Sequence, residues 1–361
     1  MERFPGYTLV RTEDCPEQHG TLTVLTHDVS GATVLLVENE DTNKAFGIGF
    51  GTFPSDDTGV FHILEHSVLA GSEKYPVTSP FLQLLKSSMA SFLNAMTFPD
   101  KTVYPFATPN ETDFKNLMDV YLNAVFCPLA MVDKSVSEQV GWHRSADGTV
   151  SGVVYNEMQG ALAAPDAQLE NALERAMFPD TAYGFVSGGD PASIPALTYE
   201  KYKRVYHRHY SADNGKMDMA EKLELLDRDY LSKMPKGTSR PQLTVQHEQA
   251  GACVELPYYT ENPEPDEVQC ALAWYTGAFA DLERQLGVEI LLDALLGTNN
   301  SPLKAALLAE KLGADIDIGF DDSTLQPVLE LVLRGATEES ARKFAAAVRK
   351  AVDGILAEGI P

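Results

Sequence analysis

Apolar and polar positions along the chain follow two alternating patterns. Short apolar and β-branched runs bounded by turn residues predict strands, and apolar positions three or four residues apart predict helices. In the first part of the chain, strands are predicted at Leu22–Asp28, Ala32–Val37, Ala45–Phe50, Ala90–Phe98 and Thr102–Ala107. Helices are predicted at Thr58–Leu69, from Pro80 to Ser88, from Asn110 to Phe126, over Asp166–Met177, at Thr198–Tyr210 and at Met217–Leu231. Thr58 and Asn110 are the expected N-caps.

The same order of predicted elements occurs a second time. After the linker-like stretch Pro235–Arg240, the pattern predicts a strand at Val268–Tyr275, a helix at Asp281–Leu296, strands at Asp315–Phe320 and Pro327–Leu333, and a helix at Thr337–Leu356. The Ser79-Pro80 step that opens a helix recurs as Ser301-Pro302. A duplication of this length predicts two similar modules with an α+β fold, each a mixed, mostly antiparallel sheet packed with helices. The expected boundaries are a first module at 1–235, a linker at 236–250 and a second module at 251–361.

Composition narrows the classes of protein that fit this pattern. The chain has 361 residues, 44% of them hydrophobic, which is enough apolar material for more than one core. The formal net charge of -24 repels phosphate backbones, so nucleic acid is not an expected partner. No apolar run reaches the ~18 residues of a membrane span, so no membrane association is expected.

Cysteine usage and the N-terminal sequence bear on the cellular compartment. The four cysteines are scattered and form no CxxC pair, which is typical of free thiols in a reducing compartment. The first residues contain no apolar signal core. We therefore expect a cytoplasmic protein, with an organelle matrix, reached after removal of a targeting peptide, as the alternative.

His62, Glu65 and His66 form the most specific chemical pattern in the chain. On a helix, residues four apart lie on one face, so His62 and His66 can both turn imidazole nitrogens to one metal ion. Glu65 lies on the same side and can act as general base toward water. This HxxEH order is the inverse of HExxH, and both are zinc-peptidase patterns. The flanking residues are apolar, which places the three in a buried helix, where unpaired polar groups are costly.

A zinc site of this kind needs a third protein ligand and one open position. Glu157 is the first choice, because it follows an apolar stretch at the entry into a helix. Glu170 and Glu174 lie on a more polar helix and are expected to face solvent. His207 and His209 form an HxH pair, but on a helix two such side chains point apart, so we interpret them as surface or packing residues. Spacing alone leaves the third ligand open.

The second module carries no equivalent of this triad. Matching the two Ser-Pro steps places Arg284, Gly287 and Val288 at the positions of His62, Glu65 and His66. The second module is therefore predicted to be non-catalytic, with a structural or substrate-enclosing role.

Taken together, the chain resembles the pitrilysin/insulysin family of inverted-motif zinc metallopeptidases, and within it the presequence-protease branch. The matching stretches run from Asp57 through Phe81, from Ser91 to Thr102, from Val153 to Gly160 and from Ser187 to Pro191. The long separation between His66 and Glu157 also suits that branch. Members of the family are far longer and have four related modules, so the resemblance is to their N-terminal part, and the second module would be truncated.

The resemblance implies a site and a class of substrate. Zn²⁺ would be held by His62, His66 and Glu157, with Glu65 as general base. A substrate would add as a strand along the edge formed by Leu93, Asn94 and Ala95, in keeping with backbone pairing that reads any extended peptide. The substrates would be short unstructured peptides of the targeting-peptide kind, and the acidic balance suits basic ones.

This chain departs from the family pattern in two respects. The family's distal half, which helps to clamp the substrate, has no counterpart in this chain, so activity is expected to need it. Family members also have an apolar strand after the segment matching Tyr210–Asn214, and this chain shows no evident equivalent. Three hypotheses follow: a zinc endopeptidase, a non-catalytic peptide-binding or scaffold member, and a fragment that keeps zinc without turnover.

Overall fold

The computed structural model describes residues 4–77, 80–219, 223–234, 242–247, 253–260 and 267–360. The chain divides into two compact units. The first comprises Met1–Gly160 and Phe185–Leu243, and the second Ala161–Gly184 and Thr244–Pro361. No helix in the described ranges is both long and apolar enough to cross a membrane.

The first unit is built on one large sheet. Its strands are β1 (Tyr7–Cys15), β2 (Gly20–His27), β3 (Thr33–Glu38), β4 (Lys44–Gly51), β5 (Phe92–Leu93), β6 (Met96–Thr97), β7 (Lys101–Thr108) and β10 (Gly215–Met219), and β8 (His143–Arg144) pairs with β9 (Val150–Ser151) in a separate hairpin. The order across the sheet is β1-β2-β3-β10-β4-β7-β5, with β6 also paired to β7. Only the β3–β10 pair is parallel among the pairings of these described strands.

Helices accompany this sheet. They are α1 (Val60–Val68), α2 (Pro80–Ser87), α3 (Glu111–Phe126), α4 (Lys134–Val140), α5 (Val153–Ala161), α7 (Tyr199–His209) and α8 (Leu223–Asp229). Of these, α1 and α3 pack against its strands. Side chains along the strands alternate between the two faces of the sheet, as expected when one face is covered. In β4, Phe46, Ile48 and Phe50 are buried, and glycines occupy the positions between them. Asn110 caps α3 as expected, since its side chain accepts a hydrogen bond from the Asp113 backbone.

Two predictions for this unit were wrong in detail. The predicted helix at Met217–Leu231 begins as a strand, and among its described residues the α-helix covers Leu223–Asp229. The five residues Gly215–Met219 form β10, which hydrogen-bonds to β3 on one side and β4 on the other. The strand thought to be missing after Asn214 is therefore present. The backbone hydrogen bonds that β10 makes to both neighbouring strands outweigh the helical pattern of its local sequence.

Strand β1 and the β5–β6 segment also differ from the sequence prediction. Tyr7–Cys15 was not predicted, because nearly all of its residues are exposed and no apolar alternation marks it. The predicted strand Ala90–Phe98 is two short strands interrupted at Asn94 and Ala95. The Asn94 side chain accepts a hydrogen bond from the Ala95 backbone at 3.0 Å, a local contact that competes with strand pairing.

The second unit repeats the core of the first. Its elements are α6 (Pro165–Met177), β11 (Glu267–Tyr275), α9 (Leu282–Leu296), α10 (Pro302–Ala309), β12 (Asp315–Asp321), β13 (Val328–Thr337) and α11 (Glu338–Glu358). The sheet order β11-β13-β12 is antiparallel throughout, as is the corresponding order β4-β7 with β5 and β6. The predicted tandem α+β modules are confirmed.

The division between the units is not continuous in sequence. Helix α6, which the sequence analysis assigned to the module at 1–235, belongs to the second unit, where Asp166 pairs with Arg334 and the Met177 carbonyl accepts a hydrogen bond from Tyr275. These contacts join residues far apart along the chain, and no local pattern reveals them. Ser79 and most of the predicted linker 236–250 lie outside the described residues.

The second unit also contains a small acidic cavity of about 70 Å³. Glu170, Glu174, Asp321 and Glu330 line it together with apolar side chains such as Phe178. Burial, with Glu170, Asp321 and Glu330 adding to it, raises the pKa of Glu174 to about 8. Glu174 was expected to face solvent, and the contacts of α6 within the second unit make that expectation wrong.

This raised pKa predicts how stability depends on pH. The folded chain holds a proton on Glu174 that the unfolded chain releases near its ordinary pKa of 4.5, so the contribution to stability is full below that pH and is lost as pH rises toward 8. Glu174→Gln should therefore raise the free energy of unfolding at pH 8.5, by about 2–4 kcal/mol, and by much less at pH 5. Urea unfolding at both pH values measures this. The exposed Glu289→Gln is the control, and an equal effect of the two variants would contradict the prediction.

Candidate metal centre

Helix α1 holds the three residues of the HxxEH pattern in the interior of the first unit. Eight of its nine residues are buried, and His62 and Glu65 are among them. His66, one turn after His62, keeps 30% of its side chain exposed. The rings of the two histidines lie 4.9 Å apart between centroids. The predicted arrangement of both imidazoles on one helix face is thus present in the structure.

Helix α5 brings Glu157 to the same point. Val154 and Met158, four residues apart, are buried and anchor the helix, and Glu157 is turned toward α1. Its Oε1 lies 3.8 Å from His62 Nε2, and its Oε2 lies 3.7 Å from His66 Nε2. The side chain is 51% exposed, so this side of the cluster opens to solvent. Among the described residues, these three are the group of His, Cys, Asp or Glu able to hold a metal ion, with all ligand atoms within 4.8 Å of one another.

The loop at Gly188 and Gly189 sets the orientation of His62. His62 Nδ1 lies 3.0 Å from the carbonyl oxygen of Gly188, so a proton on Nδ1 leaves the Nε2 lone pair free toward Glu157. The loop can approach because the residue before α1 is Gly59, whose φ of 62° favours glycine. A Cβ on Gly59 would lie 2.5 Å from the Gly188 carbonyl oxygen. Gly59, and not Thr58 as predicted, is therefore the N-cap.

The environment of His66 favours the neutral imidazole. Burial lowers its pKa, and the neighbouring His62 lowers it further, while Glu65 and Glu157 oppose both. Metals bind the neutral ring, so the shift keeps His66 in the binding form at physiological pH.

Glu65 lies beside the ligands but is held by other groups. Its Oε2 accepts a hydrogen bond from Thr97 Oγ1 at 2.9 Å, and its Oε1 lies 4.0 Å from His66 Nε2. Tyr104 and Tyr210, whose hydroxyls are 2.8 Å apart, lie close enough that the charge of Glu65 adds to burial in raising their pKa values. Both tyrosines therefore remain protonated at neutral pH.

The donor set fits zinc. Two imidazole nitrogens and one carboxylate are a known catalytic zinc set, and Zn–N bonds of ~2.0–2.1 Å imply ligand atoms about 3.3 Å apart in a tetrahedron. Taken with one ligand atom from each residue, the three groups lie within 4.8 Å of one another, so a bound ion would draw them closer together. The exposed side of Glu157 leaves room for the fourth position.

Other residues singled out from the sequence lie elsewhere. Leu93, Asn94 and Ala95 lie on or next to the edge strand β5, and the chain reaches the metal centre two residues later, at Thr97. His209 is a packing residue, since its Nδ1 bonds the Gly51 carbonyl and its ring contacts Phe61. Glu170 and Glu174 belong to the second unit.

Sequence reasoning missed Thr97 and Gly188 as partners of the centre. Both lie in stretches quoted above for the resemblance. Nothing in their local pattern marks them, because their roles depend on contacts with helix α1 over 32 and 126 positions of the chain.

Two family profiles match parts of this chain. The profile described as "Insulinase (Peptidase family M16)" matches residues 45–184, and the one described as "Peptidase M16 inactive domain" matches residues 196–361. The chain belongs to peptidase family M16. The resemblance proposed from the HxxEH stretch is confirmed.

The relatives of this M16 chain include presequence proteases. It is 37% identical to presequence protease 1, chloroplastic/mitochondrial, of Arabidopsis thaliana, over 98% of this chain and 34% of the relative. It is 35% identical to the protein HypA of Clostridium perfringens, with 99% and 38% covered. It is 34% identical to the mitochondrial presequence protease of Xenopus tropicalis, with 99% and 37% covered. The chain thus spans little more than a third of the length of these relatives.

Solved structures show the same fold. Pitrilysin matches with a TM-score of 0.65 at 18% identity, covering 99% of this chain and 38% of that one. A protease from Helicobacter pylori matches with a TM-score of 0.69 at 16% identity, covering 97% and 81%.

Proposed function

We propose that this M16 chain is the zinc-binding part of a metalloendopeptidase that degrades short unstructured peptides. The observation that carries the proposal is the convergence of His62, His66 and Glu157 from two helices, with the buried Glu65 beside them. A non-catalytic scaffold has no use for that combination, so we favour the peptidase over the scaffold hypothesis.

The residues of the chain would divide the chemistry among them. His62, His66 and Glu157 would hold Zn²⁺, which supplies Lewis acidity toward the scissile carbonyl and makes water a stronger acid. Glu65 would take the proton from the attacking water and pass it to the leaving amine. Its burial at 7% exposure favours that role, because a low dielectric strengthens each interaction it makes.

Substrate binding is proposed at the edge of the first sheet. The position of β5 at the end of the described strand order supports pairing of an extended peptide along the edge at Leu93, Asn94 and Ala95. Pairing through the backbone places few demands on sequence, and the net charge of -24 favours basic peptides.

Two further features of this function are proposals as well. We expect efficient turnover to need residues that correspond to the remaining length of the relatives. The relatives named mitochondrial or chloroplastic favour an organelle matrix as the compartment, with the cytoplasm as the alternative.

The proposal is tested by metal content together with cleavage. We expect one zinc per chain by mass spectrometry, slow cleavage of an internally quenched peptide, loss of both on treatment with a chelator, and recovery on adding stoichiometric zinc. Of two peptides matched in length, the basic one should be cleaved faster. A chain that binds no zinc would contradict the proposal, and zinc without cleavage would instead support the inactive-fragment hypothesis.

A further inference from the structure

We infer that Thr97 is a positioning residue for Glu65: its hydroxyl holds Oε2 of the carboxylate so that Oε1 is the oxygen that faces the metal ligands and accepts the proton. This inference rests on the proposed function, since it concerns how the general base is aligned.

The hydrogen bond joins two rigid parts of the first unit. Thr97 Oγ1 donates to Glu65 Oε2 at 2.9 Å. Glu65 lies in the middle of the buried helix α1, and Thr97 lies in β6, which pairs with β7 through Thr97 opposite Thr102. The next residue, Phe98, closes the β6–β7 connection with a backbone hydrogen bond to Lys101. Neither end of the contact is on a free loop.

A glutamate carboxylate needs such a restraint to act as a base. Its terminal torsion is broad and nearly two-fold, so the two oxygens exchange places easily when nothing distinguishes them. Here Oε2 is held by Thr97, and Oε1 is left 4.0 Å from His66 Nε2. The nearby Tyr104 and Tyr210 hydroxyls bond each other at 2.8 Å, which leaves Thr97 as the hydroxyl seen to donate to Glu65 among the described contacts.

A threonine suits this task better than a longer polar residue. Its branched Cβ restricts χ1, so the hydroxyl direction is set by the strand and costs little entropy on binding. Valine has nearly the same shape without the hydroxyl, and serine keeps the hydroxyl without the methyl group.

The position of Thr97 also links the base to the proposed substrate edge. It lies in β6, two residues after Ala95, and so directly follows the proposed pairing edge at Leu93, Asn94 and Ala95. If Glu65 were displaced, the peptide would still bind, but the base would be poorly aligned for the reaction. Misplacement by ~1 Å costs about 10²-fold in rate. The expected defect is therefore in kcat, with KM and zinc affinity unchanged.

The test compares Thr97→Val and Thr97→Ser with the wild-type chain, all loaded with zinc. Thr97→Val should lower kcat about 10–100-fold, with KM within about twofold and zinc affinity unchanged. Thr97→Ser should recover most of kcat. A crystal structure of zinc-loaded Thr97→Val should show the Glu65 carboxylate rotated from its wild-type orientation.

Several outcomes would overturn the inference. It fails when Thr97→Val keeps its kcat, when Thr97→Ser falls as far as Thr97→Val, or when the Glu65 carboxylate keeps its orientation in the valine variant. It also fails when the valine variant loses zinc, since Thr97 would then support the whole site. Wild-type protein that holds zinc and cleaves no peptide would reject the proposed function and this inference with it, whereas an active wild type with an unaffected valine variant rejects the inference alone.

Discussion

Replacing Glu65 with glutamine is expected to reduce peptide cleavage by ~10²–10⁴-fold while one zinc per chain stays bound. Glutamine has the same shape, and its carbonyl oxygen can still accept the hydrogen bond from Thr97. Its amide cannot take up a proton at neutral pH, so only the transfer of the proton is lost. Steady-state cleavage of a quenched peptide, with zinc measured on the same samples, provides the result.

A matched control keeps this result specific. Glu138 in α4 belongs to the same unit, its side chain is 46% exposed, and it pairs with Lys134. Glu138→Gln should leave cleavage within about twofold, because ion pairs this open to solvent contribute little. Zinc-free Glu65→Gln should unfold at the wild-type temperature or above it, since a buried carboxylate is removed. Undiminished cleavage by Glu65→Gln would reject Glu65 as the base.

Replacing Glu157 with alanine is expected to weaken zinc binding at least ~100-fold. Two histidines from one helix would remain, and a catalytic zinc site needs three protein ligands. Because metal binding stabilises the folded state by mass action, the rise in unfolding temperature that zinc gives the wild-type chain should shrink or vanish. Titration against a chelator of known affinity and thermal unfolding with and without zinc measure both effects.

The comparison variant for Glu157 is again Glu138, as Glu138→Ala. That variant should bind zinc like the wild type, because Glu138 pairs with Lys134 and takes no part in the cluster of ligands. Zinc binding of wild-type strength in Glu157→Ala would assign the third ligand to another group. Loss of zinc in both variants would point to general unfolding, which circular dichroism of the zinc-free proteins detects.

The sequence by itself determined what depends on near neighbours. The spacing of His62, Glu65 and His66 fixes their common side as soon as the segment is helical, and the apolar flanks predict both the helix and its burial. The order of strands and helices in the two modules also depends on local patterns, and the matching sheets confirm it. Family membership follows from the same motifs.

Only the tertiary structure determined the features that depend on contacts between residues far apart in the sequence. Glu157 is half-exposed and far along the chain, so spacing leaves it open beside Glu170 and Glu174, and only the fold brings its carboxylate within 3.8 Å of both histidines. Strand β10 exists because two neighbouring strands offer unpaired backbone groups, which no local pattern records. Thr97 and Gly188 each contact α1 through a hydrogen bond from a distant part of the chain. Periodicity reports which face of an element is buried, but only the folded chain determines which residues meet there.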